Sequence, residues 1–430
     1  MLTAFGAAAA EGPPAKAAAS GAPAKAAPEG RSPKAAAKAQ FGINPEGITS
    51  PEMRDALTIL RDAGVVEGRR GSLTFFRWAD GTPPRLAHLG LWGPMVGNEQ
   101  LARIAALPDL EFVSLYETAV DDAGFAVVAK LPKLRHLAIT PVTRYEKASF
   151  GPPQWSYPFL PIKADRPRLT AKSLSALAGV ATLESLDLLD AGLDSADLAL
   201  LAKWPKLSAV ALPNAVDAET VEHLRACRRL GSLTLGHRAI TAEELTTLAA
   251  CTSIRRLTLV HARLSDEALQ AIGRLTAVEE LHLRDCGLTD DRLAHLRGGP
   301  RLTSLWLDRN EIAGPGLAHL AGLKLSSLSL GFNNLSDATL THLKQLDTLG
   351  TLGISYCPAV TDAGIRGGTL QGMTHLKRLN LRGLKQVTDA TLDDLVRFGH
   401  LEHITIRETK ISPAGVERMK KAMPNTVVFK

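Results

Sequence analysis

The sequence predicts an α/β solenoid in which short parallel strands line one side and helices the other. Three observations carry this expectation. A six-residue phrase, Leu-x-x-Leu-x-Leu, returns about every 24 residues from residue 85 to the end. Its fourth and sixth positions alternate with polar ones, the period of a strand showing one face to a core. Each phrase is followed by a turn, a capping pair and helix-spaced apolar residues.

The anchors are regular: Leu86/Leu89/Leu91, Leu110/Val113/Leu115, Leu134/Leu137/Ile139 and Leu183/Leu186/Leu188 open the series. It runs on through Leu207/Val210/Leu212, Leu230/Leu233/Leu235, Ile254/Leu257/Leu259, Val278/Leu281/Leu283 and Leu302/Leu305/Leu307. Leu325/Leu328/Leu330, Leu349/Leu352/Ile354, Leu376/Leu379/Leu381 and Leu401/Ile404/Ile406 complete it. Helix starts follow at Thr289-Asp290-Asp291, Ser336-Asp337 and Thr388-Asp389, where a hydroxyl accepts from a first-turn amide and the acid suits the positive helix end. Ser412-Pro413 and Ser50-Pro51 repeat the phrase with proline at the first helical position, where no amide bond is lost. One strand and one helix cannot enclose a core alone, so successive units must stack.

The series resembles the leucine-rich-repeat family, in its ribonuclease-inhibitor-like and cysteine-containing branches, over about four fifths of the chain. The resemblance implies a horseshoe with a concave parallel sheet and convex helices. It also implies Asn or Cys three residues after the last strand leucine, bonding to loop backbone. Cys286, Asn310, Asn333 and Cys357 match, whereas Ala191, Ala215 and Ala262 depart.

A stack exposes apolar surface at its ends unless something covers it. Residues 41–84 read as an N-terminal cap, with a helix over Ser50 to Gly64 and a strand at Leu73/Phe76/Trp78. Repeats fill 85–421, and 422–430 form a C-terminal cap with a closing strand at Val427-Val428-Phe429. The spacing jumps once, from Leu134 to Leu183. Residues 140–168 carry Pro141, Pro152, Pro153, Pro158 and Pro161 beside Tyr145, Phe150, Trp155, Tyr157 and Phe159, an irregular insertion or a degenerate repeat. Its aromatics fit either a binding loop or one folded onto the solenoid edge.

Residues 1–40 are an Ala/Pro/Lys-rich segment of net charge +3 (five Lys and Arg against two Glu), half of the chain's +6, and they lack the large side chains that offset ordering entropy. They are expected to be a disordered tail, either a solubilising linker or a segment touching nucleic acid or another anionic surface. No span reaches the ~18 apolar residues of a membrane helix, and Met1 to Ala10 lacks the basic start of a secretory signal, so a cytoplasmic location is expected. Four cysteines without a Cys-x-x-Cys pair suggest neither a disulfide framework nor a zinc site. Cys227 and Cys251, at equivalent helix ends, read as stacked small apolar residues or as a redox pair.

Function is expected where side chains point away from the core. The position between the last two strand anchors is mostly small, but His282 and Trp306 stand out. The two following positions add Arg284, Asp285, Asp308, Arg309, Phe332, Tyr356, Arg382 and Arg407. Trp306, Phe332 and Tyr356, on consecutive units, are expected to form one patch bordered by Arg284 and Arg309, with Trp, Tyr and Arg the types enriched at hot spots. His237, His261 and Asp285 form a column that reads as a metal ladder or a solvated polar one. There is no Gly-x-Ser-x-Gly elbow, phosphate loop or His-Glu-x-x-His, and no cofactor is called for.

The resemblance implies a non-catalytic protein-interaction scaffold holding a protein or peptide partner on its concave face at His282, Arg284, Trp306, Asp308, Arg309, Phe332 and Tyr356. Two alternatives stand beside it: nucleic-acid or anionic-surface binding by the tail, and substrate recognition within a ubiquitin-ligase-like assembly, although no F-box precedes the repeats. An enzyme hosted by the 140–168 loop is a third.

Overall fold

A computed structural model of the chain describes residues 51–62, 73–79, 85–139 except 117, 143–144, 155–156 and 169–430 except 190, 214–215, 237, 299–300 and 368–369. The expectations for the 1–40 tail, for most of the 140–168 interval and for His237 and Ala215 lie outside them.

Fourteen parallel strands form one sheet, from Arg85–Trp92 to Val427–Phe429, with Leu73–Ala79 added antiparallel at its front edge. The register is fixed by the leucines: Leu233, Leu257, Leu281, Leu305, Leu328 and Leu352 face one another across six successive strands. All six are fully buried. Burying one such side chain is worth roughly 1.5–3 kcal/mol relative to leaving it in water, and a one-residue slip would turn a whole strand's leucines outward.

The connections confirm helices but divide them into two kinds. Asn98–Ile104, Asp122–Val128, Ala171–Leu177, Ala218–Ala226, Ala242–Leu248 and Asp266–Ile272 are α-helical, whereas Ala196–Lys203, Asp291–Gly298, Pro315–Leu320 and Thr339–Gln345 are 3-10 helices. The reason the sequence does not separate them is that both bury one pair three residues apart. Leu245/Leu248 is such a pair in an α-helix and Leu340/Leu343 in a 3-10 helix, and either helix brings i and i+3 to one side.

The Thr-Asp steps do more than cap. Thr361, Thr388 and Ser412 accept from amides of their own first turn, as expected. In three successive units of the second half an aspartate reaches forward to the next. Asp337 accepts from Thr361 N and Oγ1 at 2.7 and 2.6 Å, Asp362 from Thr388 N and Oγ1 at 2.7 and 2.7 Å, and Asp389 from Ser412 N and Oγ at 2.8 and 2.6 Å. Gly364 and Gly415 follow these caps because a Cβ at either would overlap the carboxylate arriving from the unit before. The helix Thr339–Gln345 starts after Ala338 without a side-chain cap, so Ser336 does not cap it; Asp290 accepts from the amides of Ala313, Gly314 and Gly316 in the next unit.

At the front, Pro51–Asp62 is a helix that buries Ala56 and Leu60 in the repeat core. At the back, helix Pro413–Ala422 leads into Val427–Phe429, which pairs with His403–Thr405. Strand His136–Ala138 pairs directly with Ser185–Asp187, and helix Ala171–Leu177 packs on Asp122–Val128. Among its described residues the 49-residue interval contributes one strand and one helix to the stack, beside a two-residue antiparallel pairing of Thr143–Arg144 with Trp155–Ser156. No helix among the described residues is long and apolar enough to cross a membrane.

Candidate functional site

Beyond the strands from Arg256–Val260 to His403–Thr405 the chain turns toward the helix layer through a residue of left-handed backbone two places after the last leucine or isoleucine. His261, Asp285, Arg309, Phe332, Tyr356 and Glu408 have φ between 49° and 60°, and Gly383 completes the column at 74°. The turn lets the hydrogen-bond ladder run past the strand: Arg309 N donates to Gly331 O, Phe332 N to Ser355 O and Tyr356 N to Arg382 O, each at 2.8 Å. Left-handed backbone is uncommon for His and Asp and a true outlier for Phe and Tyr, costing on the order of 1–3 kcal/mol per residue.

The next residue anchors the turn. Asn310 Nδ2 donates to Leu283 O and Leu307 O at 2.7 and 2.9 Å, while its Oδ1 accepts from Cys286 N and Leu288 N at 3.0 and 3.1 Å. Asn333 repeats the pattern on Leu307 O, Leu330 O and Ile312 N. The Cys286 and Cys357 thiols point to Leu259 O and Leu330 O at 3.5 and 3.4 Å, a weaker form of the same contact. All four cysteines are free and buried. Burial pushes the thiols of Cys227 and Cys357 up to about 11 and that of Cys286 to about 12, which suits inert packing rather than redox exchange.

On this frame the expected aromatic patch divides in two. Trp306 is a strand residue and stacks on His282, ring centroids 4.3 Å apart and planes at 21°. Phe332 and Tyr356 occupy the lip beyond the strand ends and stack on each other at 4.3 Å and 15°. Among the described residues no ring contact joins Trp306 to Phe332. The register explains why: Trp306 faces Ser329 across the ladder, three residues before Phe332.

The lip stack is closed on both sides by arginine. The Arg309 guanidinium lies 4.1 Å from the Phe332 centroid and that of Arg382 lies 5.7 Å from the Tyr356 centroid. Gly383 makes room for Tyr356, because a Cβ there would overlap its ring. Glu408, which the sequence reading did not single out, accepts from Tyr356 Oη at 2.9 Å and from Arg382 Nε and Nη2 at 3.0 and 2.6 Å.

The acids are spoken for. Glu280 accepts from His282 Nε2 at 2.8 Å and pairs with Arg256. Burial works to raise its carboxyl, but the hydrogen bonds and charges of His282 and Arg256 overcome that and hold it at about 2. Asp308 Oδ1 accepts from Ser329 Oγ at 2.7 Å and Gly331 N at 2.9 Å, and burial pushes its carboxyl above the usual range despite those donors. Asp285 lies 3.1 Å from His261 Nδ1; burial of the imidazole lowers its pKa more than that carboxylate raises it. His261 and Asp285 are thus neighbours in the proposed metal column. Among the described residues no group of three His, Cys, Asp or Glu side chains is disposed to hold a metal ion.

Between Trp306 and Asn380 the sheet surface steps down. The intervening positions are Ser329 and Gly353, flanked by Ser327 and Thr351. At about 4.8 Å per strand, the strands bearing Trp306 and Asn380 stand about 14 Å apart, leaving a notch two strands wide, with backbone and hydroxyls as its floor.

No protein-family model matches the chain, and no curated protein does. Among solved structures, an internalin of Listeria monocytogenes is 19% identical over 88% of this chain and 95% of its own, with a TM-score of 0.41. TLR13, solved in complex with ssRNA13, is 18% identical over 79% of this chain and 52% of its own, TM-score 0.45. Yeast Rad7, from a complex with Elc1, is 15% identical over 61% of this chain and 78% of its own, TM-score 0.38.

Proposed function

We propose that this protein is a non-catalytic recognition scaffold that binds a protein or peptide on the open face of its sheet, centred on residues 282–356. The observation that carries the proposal is the notch over Ser329 and Gly353, with Trp306 as its wall and Phe332 and Tyr356 above it in a backbone conformation that costs stability. Strain kept at bulky surface residues points to use rather than to folding. A rigid aromatic wall beside the half-buried hydroxyls of Ser327 and Thr351 suits an extended peptide, a side chain of which packs against the indole. The resemblance to leucine-rich-repeat proteins leads to the same reading.

The test is quantitative capture of partners from native extract by three folded forms: the full chain, a form lacking residues 1–40, and Trp306→Ala/Phe332→Ala/Tyr356→Ala. Partners lost only with the triple substitution support the open-face reading. Partners lost only with the tail move the function to the basic segment, which carries half of the net charge.

A further inference from the structure

We propose that the same face recognises an acidic peptide segment, one carboxylate of which is held by Arg284 and Arg309 on neighbouring units. This inference rests on the open-face reading and adds the partner's chemistry to it.

The face contains paired and unpaired arginines, and the difference between them is informative. Arg256 has Glu280, and Arg382 has Glu408. Arg284 and Arg309 make no ion pair among the described residues, although the Nε of each, like that of the paired Arg256, is shielded from water without a hydrogen-bond partner. Asp285 and Asp308 would be natural partners, but each carboxylate is engaged elsewhere, although the charge of Arg284 still acts on Asp308. The left-handed backbone of Asp285 brings its carboxylate to His261, and Asp308 is occupied by Ser329 and Gly331. Two guanidinium groups on neighbouring units, Arg284 at a strand end and Arg309 in the turn beyond the next strand, both act on His261 and retain forked N–H donors, which a carboxylate satisfies in bidentate fashion. Arg309 is held in place by the Phe332 ring beneath it, which reduces the entropy lost on binding.

The same geometry argues against a single-stranded nucleic acid, the other polymer that arginines and aromatics attract. Base binding needs open ring faces. Phe332 lies between Arg309 and Tyr356, Tyr356 between Phe332 and Arg382, and one face of Trp306 is covered by His282. What the lip offers is ring edges and N–H donors.

The experiment is fluorescence anisotropy with the full chain and three labelled probes: a peptide of alternating Glu and Leu, its Gln/Leu counterpart, and an oligothymidylate. The Glu peptide should bind most tightly, weaken with salt, and lose at least about tenfold in affinity in Arg284→Gln/Arg309→Gln, as for truncation of one side of a charged pair. Arg274→Gln, at an exposed position on the helix side, controls for net charge, and matching melting curves control for folding. Equal binding of the two peptides would overturn the carboxylate inference while leaving the open face as a peptide site, provided that Trp306→Ala weakens both. Preferential binding of the oligothymidylate, or failure of the Glu peptide to bind at all, would also overturn it; the second result leaves the broader proposal to its own capture test.

Discussion

The two halves of the open face share one backbone and differ in what they do with it. Over residues 112–212 the central strand positions are Ser114, Ala138, Asp187 and Ala211, all buried, and Phe112 and Leu189 join the alanines in a small apolar cluster. Over residues 280–408 the equivalent positions carry His282, Trp306, Ser329 and Asn380, half-buried and polar or aromatic, together with the buried Gly353 and Thr405, beneath a lip of residues in left-handed backbone. The leucine face is the same in both. The units therefore separate two tasks: inward positions hold the stack, and outward ones are free to diverge, so chemistry accumulates where the fold makes no demand.

If that separation holds, a core substitution should cost the same in either half. Leu186→Ala and Leu328→Ala should each lose about 2–5 kcal/mol in denaturant unfolding, both being buried to within 1%. A large difference between them would mean that one half is packed on different terms. Among the described residues the asparagine anchors, Asn310 and Asn333, lie in the second half. Asn333→Ala strands the amide of Ile312 and removes a donor from the carbonyls of Leu307 and Leu330, which keep Asn310 and the weaker Cys357 thiol, and should cost about 1–3 kcal/mol, the range for an unsatisfied buried group. Ala191 occupies the corresponding place in the first half without any such bonds, so Ala191→Gly should cost visibly less on the same assay.

The lip offers a finer contrast. Gly383→Ala places a Cβ against the Tyr356 ring in left-handed backbone; about 1–2 kcal/mol of stability should be lost, together with partner affinity. Phe332→Gly should act oppositely on backbone strain and still weaken binding. That divergence, read by melting and capture in parallel, marks strain kept for function. The smallest effect should not distinguish the halves. Asp122 is held low by Ser173 and Thr170, and Asp389 by Ser412. A carboxyl whose folded pKa lies below its unfolded value near 3.9 stabilises above that value and loses the contribution as pH falls through the folded pKa. Melting below about pH 5 should therefore fall less steeply with pH in Asp122→Asn and Asp389→Asn than in the unsubstituted chain, and by similar small amounts, since both carboxylates are solvent-screened.

Strand register, unit stacking and the Asn and Cys anchors were legible in the sequence because each rests on one residue type at a fixed interval. Helix type was not, since the buried pairs at i and i+3 satisfy both kinds. The aspartate ties were visible as residues but read as local caps; their forward reach depends on how far apart successive helices stand, which no interval in the sequence encodes. The site was half legible. Every described residue singled out lies on the open face or its lip, yet the division into two stacks follows from the left-handed turn, whose occupants here are Phe, Tyr and Arg rather than the Gly or Asn that announce such backbone. Glu408 stayed hidden because its partners Tyr356 and Arg382 come from different earlier units. Seven residues in a column two places beyond the last leucine would have been the signal.

The central claim is that recognition belongs to the second half of the open face. Its most direct test is partner capture by Trp306→Ala/Phe332→Ala/Tyr356→Ala beside His88→Ala/His136→Ala, which strips the rings flanking Phe112 from the first half. Loss of the partner in the former and its retention in the latter is the predicted result. Retention in the former, with both variants folded, would contradict the account.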